Sequence, residues 1–431
     1  MTVPAASAPP PAPAPEVTRR IGLSLGADLC WPIAYRAILE RLNPRIPSSD
    51  GTIRFHLEDV TIEPFDLQQK GKYDIVIDRL THWYFPTREW IKKSVIMDGL
   101  YVFNNPWSVQ SMEKHSTYCA MMRLGLPVPR TWLIPPKSYD PQDDLAVTLK
   151  RYARLFDLPA VAHDLGYPAF MKPYDGGGWR GVSRIEDDEA LGAAYDESGK
   201  FVMHLQQGVA HDRFVRCIGL GPQTRAVLYD PEAPAHDRYT VERDHLEPAD
   251  TGAIRDTTLT INAFFGWDFN SCEVLRNGGQ WVPIDFANPC PDSQVTSLHY
   301  HFPWLIKANL RWSLFCAATR RKMRINLDWQ PFFDACRPGM SVGERVRACA
   351  AIAEARFETD RFVEFCDTHL AELDEIAHEF FGGEAARDAV RAKVASLYPD
   401  HEVEEFTALF FDRIQAARRE EPPGAVPILA S

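Results

Sequence analysis

The sequence predicts a mixed α/β fold in three parts: a parallel α/β unit, two α+β subdomains on mostly antiparallel strands, and a helical extension. Three observations predict it. From Ile21 to Phe103 short apolar runs alternate with stretches of helical spacing, the pattern of a small parallel sheet. Between Tyr167 and Asp285, β-type runs flank glycine-rich turns. From Phe302 onward, apolar residues recur at helical spacing.

Residues 1–18 are a Pro/Ala-rich tail with nothing to bury, expected to be disordered, and without the apolar core of a signal peptide. The first domain is expected over 19–135. It holds a buried-type strand at Ile21–Leu25, a helix at Ile33–Leu42, a strand at Tyr73–Asp78, a helix near Thr87–Met97 and a strand at Tyr101–Phe103. A helix at Ser111–Leu124 ends at Gly125, and an extended segment covers Arg130–Ile134. The second domain, 136–207, opens with a polar linker and a short helix at Val147–Leu155. Its strands run up to and away from a glycine loop, and Phe201–Gln206 is a further strand. The third, 208–310, has strands at Arg213–Gly219 and Thr224–Tyr229, a mobile loop over 230–250, and a helix at Thr257–Phe265. A hairpin of Trp267–Leu275 and Gln280–Asp285 follows, around the turn Arg276–Gly279. Helices at about 303–323, 342–355, 359–381, 385–396 and 402–418 make up the extension, 311–431.

Composition excludes several classes. With 431 residues the chain has room for two or three domains. A net charge of -12 argues against a nucleic-acid backbone as partner. Nine cysteines without a CxxC pair argue against a disulfide framework and a zinc site, and point to a reducing, cytoplasmic setting. No apolar run approaches the roughly 20 residues of a membrane span.

Two stretches carry chemistry. The first is Tyr167–Ile185, where Lys172 ends an apolar strand and Gly176, Gly177 and Gly178 precede Trp179 and Arg180. Glycines let a backbone lie close to a ligand and aim several N–H groups at phosphate, and Lys172 adds a compact positive charge. The letters also satisfy G-x-G-x-x-G, but Val182–Ile185 alternates as a strand where that motif needs a helix. A P-loop would need Lys-Ser/Thr after the last glycine, and a plain hairpin turn is the bland alternative.

The second stretch is the hairpin Asp268–Asp292. Glu273 on its first strand and Asp285 at the end of its second can sit side by side across the Asn277-Gly278 turn, and Asn288 follows with an amide oxygen. Two carboxylates and an amide suit Mg²⁺, which takes oxygen ligands. A solvated hairpin is the alternative, yet Asp285 closes an apolar strand, where an unpaired carboxylate is costly.

Taken in order, these motifs resemble the ATP-grasp superfamily over about residues 20–310. Asn104-Asn105-Pro106, Lys114 and Gly125–Pro129 resemble the passage from its N-terminal domain to its nucleotide domain. Tyr167–Val182 resembles its phosphate loop, and Met203–Gln207 the hinge strand that lines the adenine. Glu273, Asp285 and Asn288 resemble its metal ligands. Pro289–Asp292 through Ser297-Leu298 resembles the substrate loop of the D-alanine–D-alanine ligase type. The resemblance implies an ATP-grasp fold with ATP and Mg²⁺. It implies ATP contacts from Lys114, Lys172, Gly176, Gly177, Gly178, Arg180, Gln206 and Gln207, and metal contacts from Glu273, Asp285 and Asn288. A catalytic basic residue would come from the middle strands, with Arg216 and Arg225 equal candidates. The chain departs from the family pattern in having Asp285-Phe286-Ala287-Asn288 for Glu-x-Asn, and Gln207 where a glutamate is usual.

The implied activity joins a small-molecule carboxylate to an amine or other nucleophile through an acyl phosphate. No nucleic acid or membrane is engaged, and a homodimer is left open. Alternatives are an ATP-grasp phosphotransferase and a catalytically silent nucleotide-binding regulatory protein. Elsewhere the bland readings lead: His299 and His301 as buried structural histidines, Cys290 as packing, and Trp83, Tyr84, Phe85 and Trp90 as aromatic core.

Overall fold

The computed structural model describes residues 15–80, 84–111, 114–175, 180–241 and 246–429. The first unit comprises β1 (Glu16–Ser24), α1 (Cys30–Leu42), β2 (Ile46–Ser48), β3 (Gly51–Asp59), β4 (Ile75–Asp78), α2 (Phe85–Asp98) and β5 (Tyr101–Phe103). The sheet order is β2-β3-β1-β4-β5, with parallel pairing throughout except for the β2–β3 hairpin. The parallel sheet matches expectation, but the β2–β3 hairpin was not predicted. β3 alternates only weakly and exposes much of its length, so it reads as a loop. The chain runs from β1 out to β3 and returns to β4 on the other side of β1. The winding therefore reverses between β1 and β4.

β1 starts at Glu16 rather than near Arg19. The residues before it carry few apolar side chains, but they pair in parallel with Thr52–Arg54, and Glu16 forms ion pairs with Arg45 and Arg54. Deleting residues 1–18 is therefore expected to lower the melting temperature by a few degrees, whereas deleting 1–14 leaves it unchanged. Paired calorimetric scans check this.

The second unit holds α3 (Pro106–Ser111), α4 (Lys114–Leu124), β6 (Thr131–Ile134), α5 (Leu145–Tyr152), α6 (Leu158–Leu165), β7 (Ala169–Pro173), β8 (Ser183–Ile185), α7 (Asp188–Ser198) and β9 (Met203–Gln207). Helical structure begins at Pro106, five residues before the expected Ser111, and residues 112–113 between α3 and α4 lie outside the described residues. Gly125 closes α4 at φ +76°, a left-handed position that glycine accepts without strain. α6 and α7 were not predicted. Each begins on an aspartate, Asp157 or Asp187, whose side chain accepts the N–H of Ala160 or Ala190. The sheet is antiparallel, in the order β6-β9-β7-β8. It has its own core, including Leu165, Met171, Leu191 and Leu205.

The third unit is β10 (Arg213–Leu220), β11 (Gln223–Leu228), α8 (Pro248–Phe265), β12 (Phe269–Asn277) and β13 (Gln280–Asp285), an antiparallel sheet in the order β11-β10-β12-β13. The β12–β13 loop is Gly278-Gly279, both at positive φ (55° and 81°), one residue later than expected. α8 begins at Pro248, well before Thr257. Its proline at the first turn and the polar residues behind it disguise a helix whose second half alone is fully buried.

The helices that follow are α9 (Val295–Leu298), α10 (Phe302–Ala318), α11 (Gln330–Ala335), α12 (Val342–Phe357), α13 (Thr359–His369), α14 (Leu373–Gly382), α15 (Glu384–Ala395) and α16 (Val403–Glu420). The helix expected over 359–381 breaks at Leu370. α10 runs through the boundary expected at 310/311, and its Ser313 Oγ lies 2.6 Å from Tyr35 Oη on α1. One apolar core spans the parallel sheet, the β10–β13 sheet and these helices. Among the described residues no helix is long and apolar enough to cross a membrane, and all nine cysteines are free.

The loop expected to be mobile over 230–250 is tied down through residue 241. Asp230 and Arg238 bond through their backbones, and His301 Nε2 meets Thr240 O at 2.8 Å. Arg413 on α16 donates to His236 O (2.7 Å) and Asp237 (2.5 Å).

Candidate active site

The site forms where β7, β9 and α4 meet the β10–β12–β13 face. The register pairs Glu273 directly with Asp285, so the two carboxylates stand side by side as the hairpin implied. A bulge between Glu273 and Val274 interrupts the ladder beside them. Arg216 pairs with Glu273 across β10–β12, and its guanidinium donates to the Glu273 carboxylate and to Tyr239 Oη (2.6 Å). Lys114, on α4, donates to Asp285 Oδ2. Tyr118, one turn on along the same face of α4, donates to Ile284 O (2.7 Å).

Lys172 joins three elements. Its ammonium donates to Tyr118 Oη (2.9 Å), Gln206 Oε1 (2.8 Å) and Ile284 O (3.4 Å). Gln206 in turn donates to Thr131 Oγ1 at 2.8 Å. His204, on the same face of β9, is fully buried with neither ring nitrogen bonded. Burial, then the Lys172 charge, lowers its pKa to about 3, so the imidazole is neutral.

Electrostatics divide the two carboxylates. Burial raises Glu273 above its ordinary range, against the pull of Arg216. Burial also pushes Asp285 up, but Lys114 and Lys172 outweigh it and hold that carboxyl below its ordinary range. Burial lowers the Lys172 ammonium. Three cations, Lys114, Lys172 and Arg216, face two carboxylates, which leaves a positive excess suited to an anionic ligand.

The donor set fits a hard cation. Asp285 Oδ1 is buried and has no hydrogen-bond partner, and it lies beside the Glu273 carboxylate. Among the described residues no group of three or more His, Cys, Asp or Glu could hold a metal. A third ligand would have to come from elsewhere. Asn288 donates its side-chain amide to Ser271 O (3.2 Å), and its N–H goes to Asn270 Oδ1 (2.9 Å), so it stands beside the pair as a braced residue.

The other predicted residues sort as follows. Gly176, Gly177 and Gly178 lie outside the described residues, as do Trp179 and Trp83. Arg180 is exposed. Gln207 is exposed on the strand face opposite Gln206, because successive strand residues alternate. The structure separates the two candidate arginines. Arg225 is bound by Glu421 at the end of α16 and stands over the Trp304 ring, away from the carboxylate pair. Arg216→Met is expected to cut ATP turnover at least about tenfold, the loss of one charged contact. Arg225→Met is expected to lower the melting temperature, since it breaks the Arg225–Glu421 ion pair, while ATP affinity stays within about twofold. Melting curves and ATP titrations of both variants check this.

His299 is structural, with Nε2 2.9 Å from His236 O. Cys290 donates to Arg79 O at 3.5 Å, and burial raises its thiol, which makes it a poor nucleophile. Trp90 packs edge-on against Tyr73 as core, whereas Tyr84 and Phe85 are exposed. Sequence reasoning missed Tyr118, His204 and Tyr239. Tyr118 sits four residues after Lys114, a spacing that puts both on one helix face. Tyr239 comes from the 230–241 loop and has no local signal.

No protein-family profile matches the chain. A D-alanine–D-alanine ligase from Streptomyces griseus is 25% identical over 179 residues, 39% of this chain and 44% of that protein. The match thus spans under half the length of that curated relative. A RimK-domain ATP-grasp protein from Sphaerobacter thermophilus is similar in shape at 16% identity and a TM-score of 0.43, over 63% of this chain and 92% of that one. D-alanine–D-alanine ligase from Bacillus anthracis, solved with ATP, is similar at 12% identity and a TM-score of 0.45, over 79% and 99% of the two chains.

Proposed function

We propose that this chain is an ATP-grasp-type ligase that activates a carboxylate as an acyl phosphate at the expense of ATP and passes the acyl group to an amine or another nucleophile. One observation carries the reading. Glu273 and Asp285 are paired strand residues, one raised and one lowered in pKa, inside a ring of Lys114, Lys172 and Arg216. The partial similarity to a D-alanine–D-alanine ligase supports it.

In this reading a substrate carboxylate oxygen attacks the γ-phosphorus, and the bond to the β,γ-bridging oxygen breaks to release ADP. The amine nitrogen then attacks the acyl carbon, phosphate leaves, and the nitrogen sheds a proton. Lys172 and Lys114 bind phosphate oxygens as point charges, and Arg216 faces the charge that develops during transfer. Glu273 and Asp285 would hold Mg²⁺, which when bound neutralises phosphate charge. Apolar neighbours such as Phe286 and Ile284 exclude water that would hydrolyse an acyl phosphate.

The test is product analysis with ATP, Mg²⁺ and a panel of carboxylates and amines. Free phosphate released only when both co-substrates are present supports a ligase. Phosphate found on a single acceptor, or ATP bound with no turnover on any pair, overturns it.

A further inference from the structure

A cleft of about 540 Å³ lies between the C-terminal ends of α8, α10 and α12, and it shares no residue with the carboxylate site. Tyr101, Trp267 and Phe357 form its buried lining. Its charged lining is lopsided. Six cations, Arg320, Arg321, Lys322, Arg324, Arg356 and Arg361, meet two carboxylates, Asp268 and Glu358, so six less two leaves four surplus positive charges. Four of the six cations fall within five consecutive residues, Arg320–Arg324.

Cations gather at helix C-termini because the carbonyl ends carry partial negative charge. That accounts for two of the six. Arg321 donates to Arg356 O near the end of α12 and to Tyr101 Oη (3.0 Å), and Arg356 donates to Ala263 O of α8 (3.2 Å) and Leu327 O (2.9 Å). With those carbonyls satisfied, the helix ends offer less opposition to an anion. Both acids are committed as well. Asp268 Oδ1 accepts from Tyr101 Oη (2.8 Å) and Trp312 Nε1 (2.9 Å), and Glu358 pairs with Arg321 and Arg361. Lys322 and Arg324 are exposed and, among the described residues, form no ion pair. Arg320, exposed and 3.5 Å from Asp50, takes φ +51°, a left-handed position after α10 that glycine fills without strain. The cations also repel one another. Burial, then the charge of Arg324, lowers the Arg356 guanidinium to about 10.

We propose that this cleft binds a small ligand of mononucleotide size that carries two or more phosphate groups. Four surplus charges call for more than one anionic group, and guanidinium forks match phosphate oxygens in pairs. The volume is that of a small-molecule site, and the three aromatic side chains give a ring an apolar face. The cleft stands apart from the ATP site and does not rest on the ligase reading.

The test uses the full chain at about 0.15 M salt, where a Debye length of roughly 8 Å screens scattered surface charge. Calorimetry follows pyrophosphate and ADP, with inorganic phosphate as the single-group control. Saturable binding of pyrophosphate or ADP is expected, at least about tenfold tighter than that of phosphate. Lys322→Gln combined with Arg324→Gln should weaken it about tenfold or more, the loss of two charged contacts. Ala355→Glu places a carboxylate on the exposed lining. It should weaken binding as much, and it should raise the ligand-free melting temperature by reducing the cation surplus. Lys172→Met should leave this binding within about twofold, which separates it from nucleotide at the carboxylate pair. Tighter binding of ADP than of pyrophosphate assigns a nucleotide, and equal affinity assigns the phosphates alone. The proposal falls if neither probe saturates, if phosphate binds as well as pyrophosphate does, or if both cleft variants bind as wild type does.

Discussion

Asp285→Asn is expected to lower Mg²⁺-dependent ATP turnover by roughly 10²–10³-fold, the scale seen when one preorganised charge contact is removed from a transfer site. It is also expected to destabilise the fold. From the hairpin alone, two adjacent carboxylates should repel, and removing one should relieve strain. The structure reverses that sign for Asp285, because Lys114 and Lys172 hold it below its ordinary range. Its contribution to stability is present above the ordinary carboxylate pKa and is lost as the pH falls below it. Stranding a cation in a fully buried pair costs about 3–5 kcal/mol. The cost here is smaller, since the Asp285 side chain is 22% exposed. Glu273 should respond oppositely. Its carboxyl is raised, so its stabilising share is present at low pH and lost as the pH rises. Glu273→Gln can still accept from Arg216, and it should lose turnover with no fall in melting temperature. Melting curves at neutral pH beside ATP consumption over a Mg²⁺ series check both. Wild-type turnover by either variant would remove that residue from the site.

Lys172→Met is expected to weaken ATP binding by at least about tenfold, because a phosphate loses a direct cationic contact. The stability effect is expected to be small. The variant breaks three hydrogen bonds that tie α4, β9 and β13 together, but it also removes a charge that burial disfavours. The Met side chain keeps most of the stem volume. Nucleotide titration by calorimetry beside a thermal scan separates the two. Unchanged ATP affinity would assign Lys172 a bracing role alone.

Much of this was legible in the sequence. The hairpin turn brings the two strands together, but the register it sets would put Glu273 opposite Ile284; the bulge between Glu273 and Val274, which has no signal in the turn, makes Asp285 its partner. The parallel unit could be read from its apolar runs. The choice between Arg216 and Arg225 could not. Both lie on the same face of neighbouring strands, and the difference comes from Glu421, 196 residues further along the chain. Lys393 belongs to an ordinary amphipathic helix, and nothing within it signals that this lysine is buried against the end of β1. β3 went unread because its burial is one-sided and partial, and α6 and α7 because their aspartate caps were not used as start signals.

The division of the apolar interior sets what can move. The parallel sheet, the β10–β13 sheet and the long helices share one continuous core, so they can shift against one another only by breaking it. The β6–β9–β7–β8 sheet has a separate core, and polar contacts from Lys172 tie it to the carboxylate side. Mechanically, the described residues form one large block and one smaller, separately packed sheet. The smaller sheet carries Lys172, and the block carries the carboxylates and Arg216. Separating the two would break the Lys172 hydrogen bonds, the bond from Lys114 N–H to Tyr174 O (3.3 Å) and the ring contacts of His115 and Tyr118 with Tyr174 and His204, and would leave both cores packed.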